Sequence, residues 1–464
     1  MDSRSLKFVA SACAGEQLIG SLETVVKQVC TDSRLVQAGD LFFALAGERF
    51  DGHEFLAQVA EKGVAAVVVD RTRAPATLPC AVIGVDNPRQ ALGRLAARYR
   101  AEFSLPVIAV AGSNGKTTTK ELLAAVLRQK FETLWSEASF NNDIGVPLTL
   151  LKLQKSHRVA VLEVGTNHPG ELAPLVRMVR PGLGVITSIG REHLEFFGDI
   201  AGVAEEEGWL AELMPVGGKL FGNGDDEWTR RVSKRSRATV VAVGFREEND
   251  WRVGPVALDE QGATFQVNAP TARFSGEYRI NLVGRHQIVN AMFAVAIGAE
   301  LGLSKSEIQK GLAECKPAKM RLESWNWNGV CVLNDAYNAN ADSVLAALQT
   351  LSEMPCGGRR VAVLGDMAEL GAHTPAAHEE VGRKAAELGL DQLFAVGKMA
   401  GVTAEAARSA GMKAVVEFAD MTATTEEVKR FLKTGDVILL KASRASRLER
   451  LAEALKPPGA SWKV

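Results

Sequence analysis

Short apolar runs recur along the whole chain, and most of them are followed by a segment whose apolar residues repeat at helical spacing. Continuous apolar runs bounded by turn residues are typical of strands that are buried on both faces. Their alternation with amphipathic helices predicts mainly parallel sheets covered by helices, which is an α/β fold. No run approaches the roughly 18 apolar residues that indicate a membrane span, so we expect no membrane insertion.

The alternation divides into three blocks, and a chain of 464 residues is too long for a single core. We predict a small αβ domain over residues 1–103, a central domain over 104–317 and a C-terminal domain over 318–464. The central block opens with the buried-type strand "PVIAVAG" and continues with "RVAVLEVG" and "LGVITSIG". In the last block, strands such as "RVAVLGD" and "DVILLKAS" each precede a helix, which predicts a Rossmann-like domain. That domain lacks Gly-x-Gly-x-x-Gly after its first strand, so we predict no dinucleotide site there.

Composition and charge exclude several classes of partner. The formal net charge is -1, with 47% hydrophobic and 23% charged residues, so neither nucleic acid nor a membrane surface is indicated. The six cysteines are scattered without a Cys-x-x-Cys pair, which predicts reduced thiols in a cytoplasmic protein.

The segment "GSNGKTT", from Gly112 to Thr118, indicates a phosphate-binding loop, because it follows an apolar strand and precedes a helix-forming run. The usual loop has about four residues between its glycines, whereas here only Ser113 and Asn114 separate Gly112 from Gly115. The backbone amides can still surround phosphate oxygens, and the helix N-terminus adds partial positive charge. The alternative is a glycine turn with a surface lysine.

A nucleotide site requires a cation and a metal beside this loop. Lys116 is predicted to bind the terminal phosphates, and Thr117 or Thr118 to bind Mg2+. Glu163 stands alone at the end of the apolar strand "VAVLE", where an unpaired structural carboxylate would be costly. His193 follows the next strand and is either a metal ligand or a satisfied core or capping residue.

Polar residues at two later positions could complete the site. His286 and Asn290 are four residues apart and share one helix face, which either lines a base pocket or begins a capped helix. Asp335 follows an apolar strand and opens a polar loop that contains Asn338. Asp342 is predicted to cap the helix after this loop.

Together these segments resemble the Mur ligase family, which assembles the peptide of the peptidoglycan precursor. The resemblance covers nearly the whole chain and rests on a set of motifs. They are the loop at 112–118, "NNDIGVPLTLL" at 141–151, "EVGTNHPGEL" at 163–172, "EHLEFFG" at 192–198, "GRHQIVNA" at 284–291, "KMRLE" at 319–323 and "DAYNANADS" at 335–343. Within the family, "CTDSRLVQAGDLFFALAGERFDGHEF", "GDMAELG" at 365–371 and "KASR" at 441–444 are most similar to the member that adds D-alanyl-D-alanine.

This resemblance implies three functional domains: an N-terminal domain for a UDP-linked substrate, a central ATP-binding domain and a C-terminal ligase domain. It implies that ATP, with Mg2+, phosphorylates the terminal carboxylate of UDP-N-acetylmuramoyl-tripeptide. The amine of D-alanyl-D-alanine then attacks the acyl phosphate and expels phosphate. We expect the enzyme to be a monomer.

The resemblance also implies roles for individual residues. For the nucleotide and metals they are Gly112, Ser113, Asn114, Gly115, Lys116 and Thr118 around the phosphates, Thr117 and Glu163 for one Mg2+, His193 for a second, Asn290 for adenine, Asp335 for the ribose with Asn338 nearby, and Arg321 for the phosphates. For the substrates, Ser33 and Arg34 contact the uridine diphosphate, Asn141 and Asn142 lie near the γ-phosphate, and Thr166 binds substrate. Lys441, Ser443 and Arg444 are expected to take part when the enzyme closes on its substrates.

One departure from the family concerns Glu207. Several members carry a lysine that is carbamoylated by CO2 immediately before a residue like Gly208. A carbamate is a carboxylate on a longer stem, so Glu207 is expected to supply the same negative group permanently and to take part in catalysis. The alternative is an exposed acidic helix face formed by Glu205, Glu206 and Glu207.

Two other functions stay open from the sequence. A sister ligase, either another muramyl amino-acid adder or a folylpolyglutamate synthase, would share the phosphate loop. The "TDSR" segment disfavours the folate enzyme, and "GDMAELG" disfavours the diaminopimelate adder. A regulatory or assembly ATPase would instead turn over ATP without consuming an acceptor.

Overall fold

The computed structural model describes residues 1–47 and 50–457, whose strands form three large sheets and one two-stranded sheet. Glu48 and Arg49 of the first-block motif, and the last residues of the predicted C-terminal domain, lie outside the described residues. Each large sheet is built from one of the three predicted blocks, and helices cover it. The α/β fold predicted from the apolar runs is therefore confirmed.

The N-terminal sheet has the order β2-β7-β6-β5-β4, with β2 antiparallel to its neighbour and the others parallel. A separate pair, β1-β3, is antiparallel. The strands are β1 Arg4–Ser5, β2 Glu16–Ile19, β3 Val25–Val26, β4 Val29–Cys30, β5 Leu41–Phe43, β6 Ala66–Asp70 and β7 Ala81–Val85. The helices are α1 Leu6–Cys13, α2 Leu56–Glu61 and α3 Pro88–Arg100.

The central sheet has nine strands in the order β16-β15-β14-β13-β12-β11-β8-β10-β9. The strands are β8 Val107–Ala111, β9 Thr133–Trp135, β10 Val159–Glu163, β11 Leu183–Ile186, β12 Lys219–Asn223, β13 Thr239–Gly244, β14 Trp251–Asp259, β15 Gly262–Asn268 and β16 Gly276–Ile280. The helices are α4 Lys116–Leu127, α5 Gly145–Leu150, α6 Leu172–Val179, α7 Leu194–Phe197, α8 Ile200–Glu212, α9 Glu227–Ser233, α10 Arg285–Glu300 and α11 Lys305–Glu314.

The strand order of the central sheet fixes the position of the site. Strand β8 lies between β10 and β11. After β8 the chain forms β9 and β10 on one side of it, and then crosses to form β11 on the other side, so the strand order reverses at β8. Ligands of open parallel sheets bind at such a switch point, beyond the carboxyl ends of the strands. The strands from β9 to β14 are parallel, whereas β14, β15 and β16 form an antiparallel edge because short turns connect them.

The C-terminal sheet has the order β17-β18-β22-β19-β20-β21, in which only the β17-β18 pair is antiparallel. The strands are β17 Glu323–Trp327, β18 Val330–Asp335, β19 Arg360–Leu364, β20 Gln392–Val396, β21 Val415–Phe418 and β22 Val437–Lys441. The helices are α12 Ala341–Glu353, α13 Thr374–Glu387, α14 Ala400–Ser409, α15 Met421–Phe431 and α16 Glu449–Ala454. Among the helices so described, none is long and apolar enough to cross a membrane.

The predicted cap of α12 is wrong. Asn340, not Asp342, is the N-cap, because its Oδ1 accepts a 2.8 Å hydrogen bond from the backbone N–H of Ser343. The hydroxyl of Ser343 in turn accepts from the N–H of Asn340, which completes a capping box. Asp342 lies in the first turn and points to Arg191 of the central domain instead.

Candidate active site

The phosphate loop connects β8 to α4 and is built on two glycines with positive φ. Gly112 has a φ of 114° and Gly115 a φ of 91°, and residues with a Cβ rarely adopt such conformations. A Cβ on Gly112 would lie 2.5 Å from Oγ1 of Thr187, and a Cβ on Gly115 would lie 2.5 Å from Oδ1 of Asn290. Only glycine therefore fits at either position.

Lys116 is the first residue of α4, and its side chain turns back over the loop. The ammonium donates to two loop carbonyl oxygens and lies 3.4 Å from Oε2 of Glu192. Burial by itself would lower the pKa of Lys116, but the carboxylates of Glu192, Glu207 and Glu163 raise it above the ordinary value. The lysine therefore stays cationic, as phosphate binding requires.

Three buried carboxylates surround this lysine, and each has one oxygen without a hydrogen-bond partner among the residues that the structure describes. Glu163 ends β10 and accepts a 2.9 Å hydrogen bond from Nδ2 of Asn141, which leaves Oε2 unpaired. Oε1 is unpaired in both Glu192 and Glu207. Unpaired buried carboxylate oxygens are costly, so this set is suited to binding a cation. Sequence reasoning missed Glu192, although its position directly before His193 was available as a signal.

Glu207 lies on α8 beneath the phosphate loop and is fully buried. Its Oε2 accepts a 2.7 Å hydrogen bond from the backbone N–H of Gly112. Burial raises the pKa of Glu207 to about 8, because the opposing effect of Lys116 is incomplete and Glu192 adds repulsion. Glu207 is thus a costly carboxylate placed directly against the phosphate loop.

The predicted alternative of an exposed acidic face is wrong for two of its three residues. Glu205 is exposed and pairs with Arg235 at 3.2 Å. Glu206 is buried and accepts hydrogen bonds of 2.8 and 2.7 Å from the N–H groups of Gly170 and Leu172, at the start of α6. Successive residues of a helix point about 100° apart, so a run of three glutamates cannot share one surface.

His193 precedes α7 in a left-handed backbone conformation with a φ of 49°. Its Nδ1 lies 2.5 Å from Oε2 of Glu369, across the boundary between the central and C-terminal domains. Interaction with His193 holds the pKa of Glu369 below its usual range. Nε2 of His193 lies 4.0 Å from Glu192. Glu369 belongs to "GDMAELG", and no local pattern distinguishes it from the other residues of that motif.

The oxygen donors near Lys116 fit a magnesium ion that is bound together with a nucleotide. Mg2+ in such sites takes one or two protein oxygens and completes its shell with phosphate oxygens and waters. The described parts of the chain contain no group of three or more His, Cys, Asp or Glu side chains that could hold a metal by themselves. The buried hydroxyl of Thr117 and the unpaired Oε2 of Glu163 are donors of the required kind.

A cavity of about 290 Å³ opens above the loop, between the central and C-terminal domains. It brings together most of the predicted residues: Ser113, Asn114, Gly115, Lys116, Thr117, Thr118, Asn141, Asn142, Glu163, Thr166, His193, Arg321 and Asn338. Gly112 lies below the cavity with its N–H directed at Glu207. Arg321 stacks over the ring of Tyr337 at 4.2 Å and enters from the C-terminal domain. The nucleotide loop of one domain thus faces a cation from another.

A second cavity of about 250 Å³ adjoins the first and is lined by Asn290, Asp335, His286 and Lys441. The pairing of β18 with β22 places Asp335 beside Lys441, and their side chains form a 2.5 Å ion pair. Burial lowers the pKa of Lys441 although Asp335 opposes the shift, and burial lowers the pKa of His286 to about 4. A neutral imidazole, an amide and a paired carboxylate suit an uncharged, hydrogen-bonding ligand such as a nucleoside.

An ion-pair group joins the central and C-terminal domains beside these cavities. Arg191 donates to Asp342 from its backbone N–H at 2.7 Å, from Nε at 2.9 Å and from Nη2 at 2.6 Å, and its Nη1 lies 2.5 Å from Glu380. Two further contacts across the boundary are Tyr337 to Ser139 at 2.9 Å and Asn340 to Asn114 at 3.1 Å.

Four predicted substrate residues are not brought to this site. Ser33 and Arg34 lie in the N-terminal domain, where the exposed Arg34 guanidinium pairs with Asp32 at 2.6 Å. Ser443 is buried after β22, whereas Arg444 is largely exposed. In the described structure none of the four lines either cavity.

Family comparison matches each of the three domains separately. Residues 110–298 match the Mur ligase middle domain, residues 320–444 the Mur ligase glutamate ligase domain, and residues 25–100 the Mur ligase family catalytic domain. The chain belongs to the Mur ligase family.

Individual relatives are similar over nearly their whole length. The UDP-N-acetylmuramoyl-tripeptide--D-alanyl-D-alanine ligase of Bacillus subtilis (strain 168) is 36% identical, over 98% of this chain and 99% of that one. The enzyme of the same name from Escherichia coli (strain K12) is 37% identical, over 93% and 94%. A crystal structure of MurF from Acinetobacter baumannii superposes with a TM-score of 0.89, at 33% identity over 98% and 99% of the two chains.

Proposed function

We propose that this chain is an ATP- and Mg2+-dependent ligase that joins D-alanyl-D-alanine to the terminal carboxylate of UDP-N-acetylmuramoyl-tripeptide. The observation that carries this proposal is the nearly full-length similarity to two enzymes of that name, at 36% and 37% identity. The first cavity supports it, because the phosphate loop, the unpaired carboxylates and Arg321 meet there.

The reaction proceeds in two steps. A carboxylate oxygen of the tripeptide attacks the γ-phosphorus of ATP, and ADP leaves. The amine of D-alanyl-D-alanine then attacks the acyl carbon, loses a proton and expels phosphate. Both steps bring anionic groups together, so the protein acts by neutralising charge and by aligning the reactants.

Lys116 and Arg321 supply the positive charge from opposite domains: Lys116 lies on the phosphates, and Arg321 approaches from the C-terminal domain. Thr117 and Glu163 would hold one Mg2+, and His193 a second. Bound Mg2+ neutralises the phosphate oxygens and helps to align the transferred group. Glu207 holds the N–H of Gly112 and thereby fixes the loop against α8.

The nucleotide occupies both cavities. Asn290 faces the adenine, and Asp335 accepts a hydrogen bond from the ribose with Asn338 beside it. The remaining loop residues surround the phosphates: Gly112, Ser113, Asn114, Gly115 and Thr118.

The two other substrates approach from opposite ends. Asn141, Asn142 and Thr166 lie beside the carboxylate that is phosphorylated, and Ser33 and Arg34 contact the uridine diphosphate. Lys441, Ser443 and Arg444 act when the C-terminal domain closes with the acceptor. Since Ser33 and Arg34 lie in another domain from the phosphate loop, closure of the domains is part of the reaction.

The enzyme works as a monomer in the cytoplasm. ATP and UDP-linked sugars are cytoplasmic metabolites, and the six cysteines of the chain are free thiols. Sedimentation equilibrium tests the monomer, and fractionation of cells tests the location.

A phosphate-release assay with each candidate acceptor tests the proposal. Release should require ATP, Mg2+, the UDP-linked tripeptide and D-alanyl-D-alanine together, and the product should gain the mass of the dipeptide. Equal release without an acceptor would favour a regulatory ATPase. Release with glutamate or diaminopimelate, but not with the dipeptide, would favour a sister ligase.

A further inference from the structure

Lys120 is a fully buried lysine on α4, one helical turn after Lys116. Its ammonium donates to the carbonyl oxygens of Ser136 and Ala138, at 2.8 Å each, and lies 2.6 Å from Oε1 of Glu121. These three acceptors match the three hydrogens of an ammonium group. Burying this charge is costly and requires full pairing. The contacts that the ammonium makes therefore indicate the role of Lys120.

The two carbonyl groups belong to the segment that follows β9 and forms one wall of the first cavity. We call residues 136–142 the wall segment; its members Ser139, Asn141 and Asn142 line the cavity. Ala138 has a φ of 43°, a conformation that is costly for a residue with a Cβ. The ammonium of Lys120 binds the carbonyl group of this strained residue and thereby holds the bend.

The wall segment transmits this position to two groups at the site. Oγ of Ser136 accepts a 3.1 Å hydrogen bond from the N–H of Glu163, and Nδ2 of Asn141 donates to Oε1 of the same carboxylate at 2.9 Å. Ser139 accepts from the hydroxyl of Tyr337 in the C-terminal domain at 2.9 Å. Lys120 therefore connects the phosphate-loop helix with a proposed metal ligand and with the domain boundary.

We propose that Lys120 is a positioning residue, which fixes the wall segment so that Asn141 and Glu163 face the phosphoryl group that is transferred. This inference rests on the proposed ligase function for its kinetic part. Lys120 touches neither substrate, because its three ammonium hydrogens are used within the protein. Its loss should affect groups at the γ-phosphate and leave the α- and β-phosphate contacts of the loop in place.

The test compares Lys120→Met with Lys152→Met. Methionine keeps the apolar stem and removes the charge. Lys152 contacts the same wall segment through Glu137 at 2.7 Å, but its side chain is half exposed, so Lys152→Met is the matched control. Each variant is measured for kcat, for melting temperature, and for the Kd of ADP and of the non-hydrolysable analogue AMP-PNP.

For Lys120→Met we expect kcat to fall on the order of 10²-fold, as displaced reactive groups do. We expect the Kd of AMP-PNP to rise about 10-fold while the Kd of ADP changes less than about 3-fold, since only the analogue has a γ-phosphate. Lys152→Met should match the parent in all four measurements. A kcat of Lys120→Met within about 3-fold of the parent, or equal losses of ADP and AMP-PNP affinity, overturns the proposal.

A double variant separates positioning from general stability. Asn141→Ala removes the hydrogen bond to Glu163. If Lys120 acts by holding this bond in place, Lys120→Met should lower the kcat of the Asn141→Ala variant by less than about a further 3-fold. Full multiplication of the two single effects would contradict the proposal.

If Lys120→Met does not fold, Lys120→Arg decides. The rigid guanidinium keeps the charge but cannot reproduce both carbonyl contacts. A drop in kcat of at least about 5-fold with an unchanged Kd for ADP supports positioning, and a parental kcat overturns it. The nucleotide Kd values need no acceptor, so they can be interpreted even if the parent fails the phosphate-release test of the proposed function.

Discussion

The floor of the first cavity and the boundary between the central and C-terminal domains both hold carboxylates beside a cation. The two regions differ in how far the hydrogen-bonding capacity of those carboxylates is satisfied. At the boundary, Arg191 donates to Asp342 through three N–H groups and also pairs with Glu380. On the cavity floor, the ammonium of Lys116 lies among several carboxylates, and one oxygen of each of Glu163, Glu192 and Glu207 has no hydrogen-bond partner within residues 1–47 and 50–457.

The difference separates charges that build the molecule from charges suited to chemistry. Paired charges at a half-exposed boundary contribute little free energy each and set how the domains dock. Unpaired carboxylate oxygens in a buried site destabilise the fold, and they persist where a ligand or metal compensates for them. We therefore expect substitutions on the cavity floor to change turnover more than stability. At structural positions nearby, such as Glu206, we expect substitutions to change stability more than turnover.

The largest expected effect is that of Lys116→Ala. Removal of the ammonium takes the positive charge from the transferred phosphoryl group, so kcat should fall on the order of 10³-fold or more. Circular dichroism should show a folded protein. Lys152→Ala, which removes a half-exposed lysine, is the control and should be fully active. Activity of Lys116→Ala within about 10-fold of the parent would remove the phosphate loop from the mechanism.

The second prediction compares two neighbouring buried glutamates. Glu207→Gln should lower kcat on the order of 10²-fold when turnover is measured above pH 8, where the carboxyl group is ionised, because it removes charge beside the phosphate loop. Glu206→Gln should leave kcat within about 5-fold. It should instead lower the free energy of unfolding by about 1–3 kcal/mol, because it weakens the acceptor for the N–H groups of Gly170 and Leu172 at the start of α6. If both variants keep parental kcat, Glu207 is structural like Glu206. Because Glu207 is expected to replace a carbamate that forms from CO2, the activity of the parent should not depend on added bicarbonate.

A related prediction concerns pH and Glu207. Its pKa is raised to about 8 in the folded chain, from an ordinary value of 4.5. Between these values the folded state binds more protons than the unfolded state, so this carboxyl group lowers the free energy of unfolding as the pH rises. Glu207→Gln removes that loss. The melting temperature of the variant should exceed that of the parent by a margin that grows from about pH 5 to pH 8. A constant difference would contradict the raised pKa.

The fourth prediction concerns a charge that is paired and also lines a cavity. Asp335→Ala should raise the KM for ATP by about 10-fold and should affect the KM for the UDP-linked peptide less, because one hydrogen-bond acceptor for the ribose is lost. The variant also leaves the buried Lys441 ammonium without its carboxylate. Asp335→Asn keeps an acceptor and should recover part of the affinity. An unchanged KM for ATP in both variants would make Asp335 structural.

The smallest effect is expected at the boundary. Asp342→Asn removes the charge that Arg191 binds, yet it should lower kcat/KM only about 2- to 5-fold, because half-exposed pairs contribute little. Added salt should lower the kcat/KM of the parent toward that of the variant, since salt screens such pairs. A loss as large as that of Glu207→Gln would show that the boundary pair is part of the chemistry.

Local patterns are sufficient to predict much of this molecule. The strand–loop–helix order around Gly112 indicates the phosphate loop, and the lone carboxylate that ends "VAVLE" indicates Glu163. Patterns within one segment cannot identify partners from distant segments. Glu369 reaches His193 across a domain boundary, and Lys120 binds carbonyl groups beyond β9, so neither was predicted.

The predicted cap at Asp342 failed for a similar reason. Asparagine and aspartate both cap helices, and the sequence "NANADS" offers several candidates within one turn. Asn340 is the cap because its backbone is extended directly before the helix and it forms a capping box with Ser343, whereas Asp342 lies in the first turn and binds Arg191 of another domain.

The sequence by itself determined the α/β fold, the order of its strands and helices, the short phosphate loop and the family, because these depend on periodicity and on contiguous motifs. The resemblance to the family singled out Glu207 among three consecutive glutamates, but only the tertiary structure decided where each of the three side chains lies. Helix geometry turns Glu205 to solvent, Glu206 to α6 and Glu207 to Gly112, and the packing of α8 under β8 selects among those directions. Burial and pairing are properties of that packing, so no local pattern could show that Glu206 is buried like Glu207 while Glu205 is exposed.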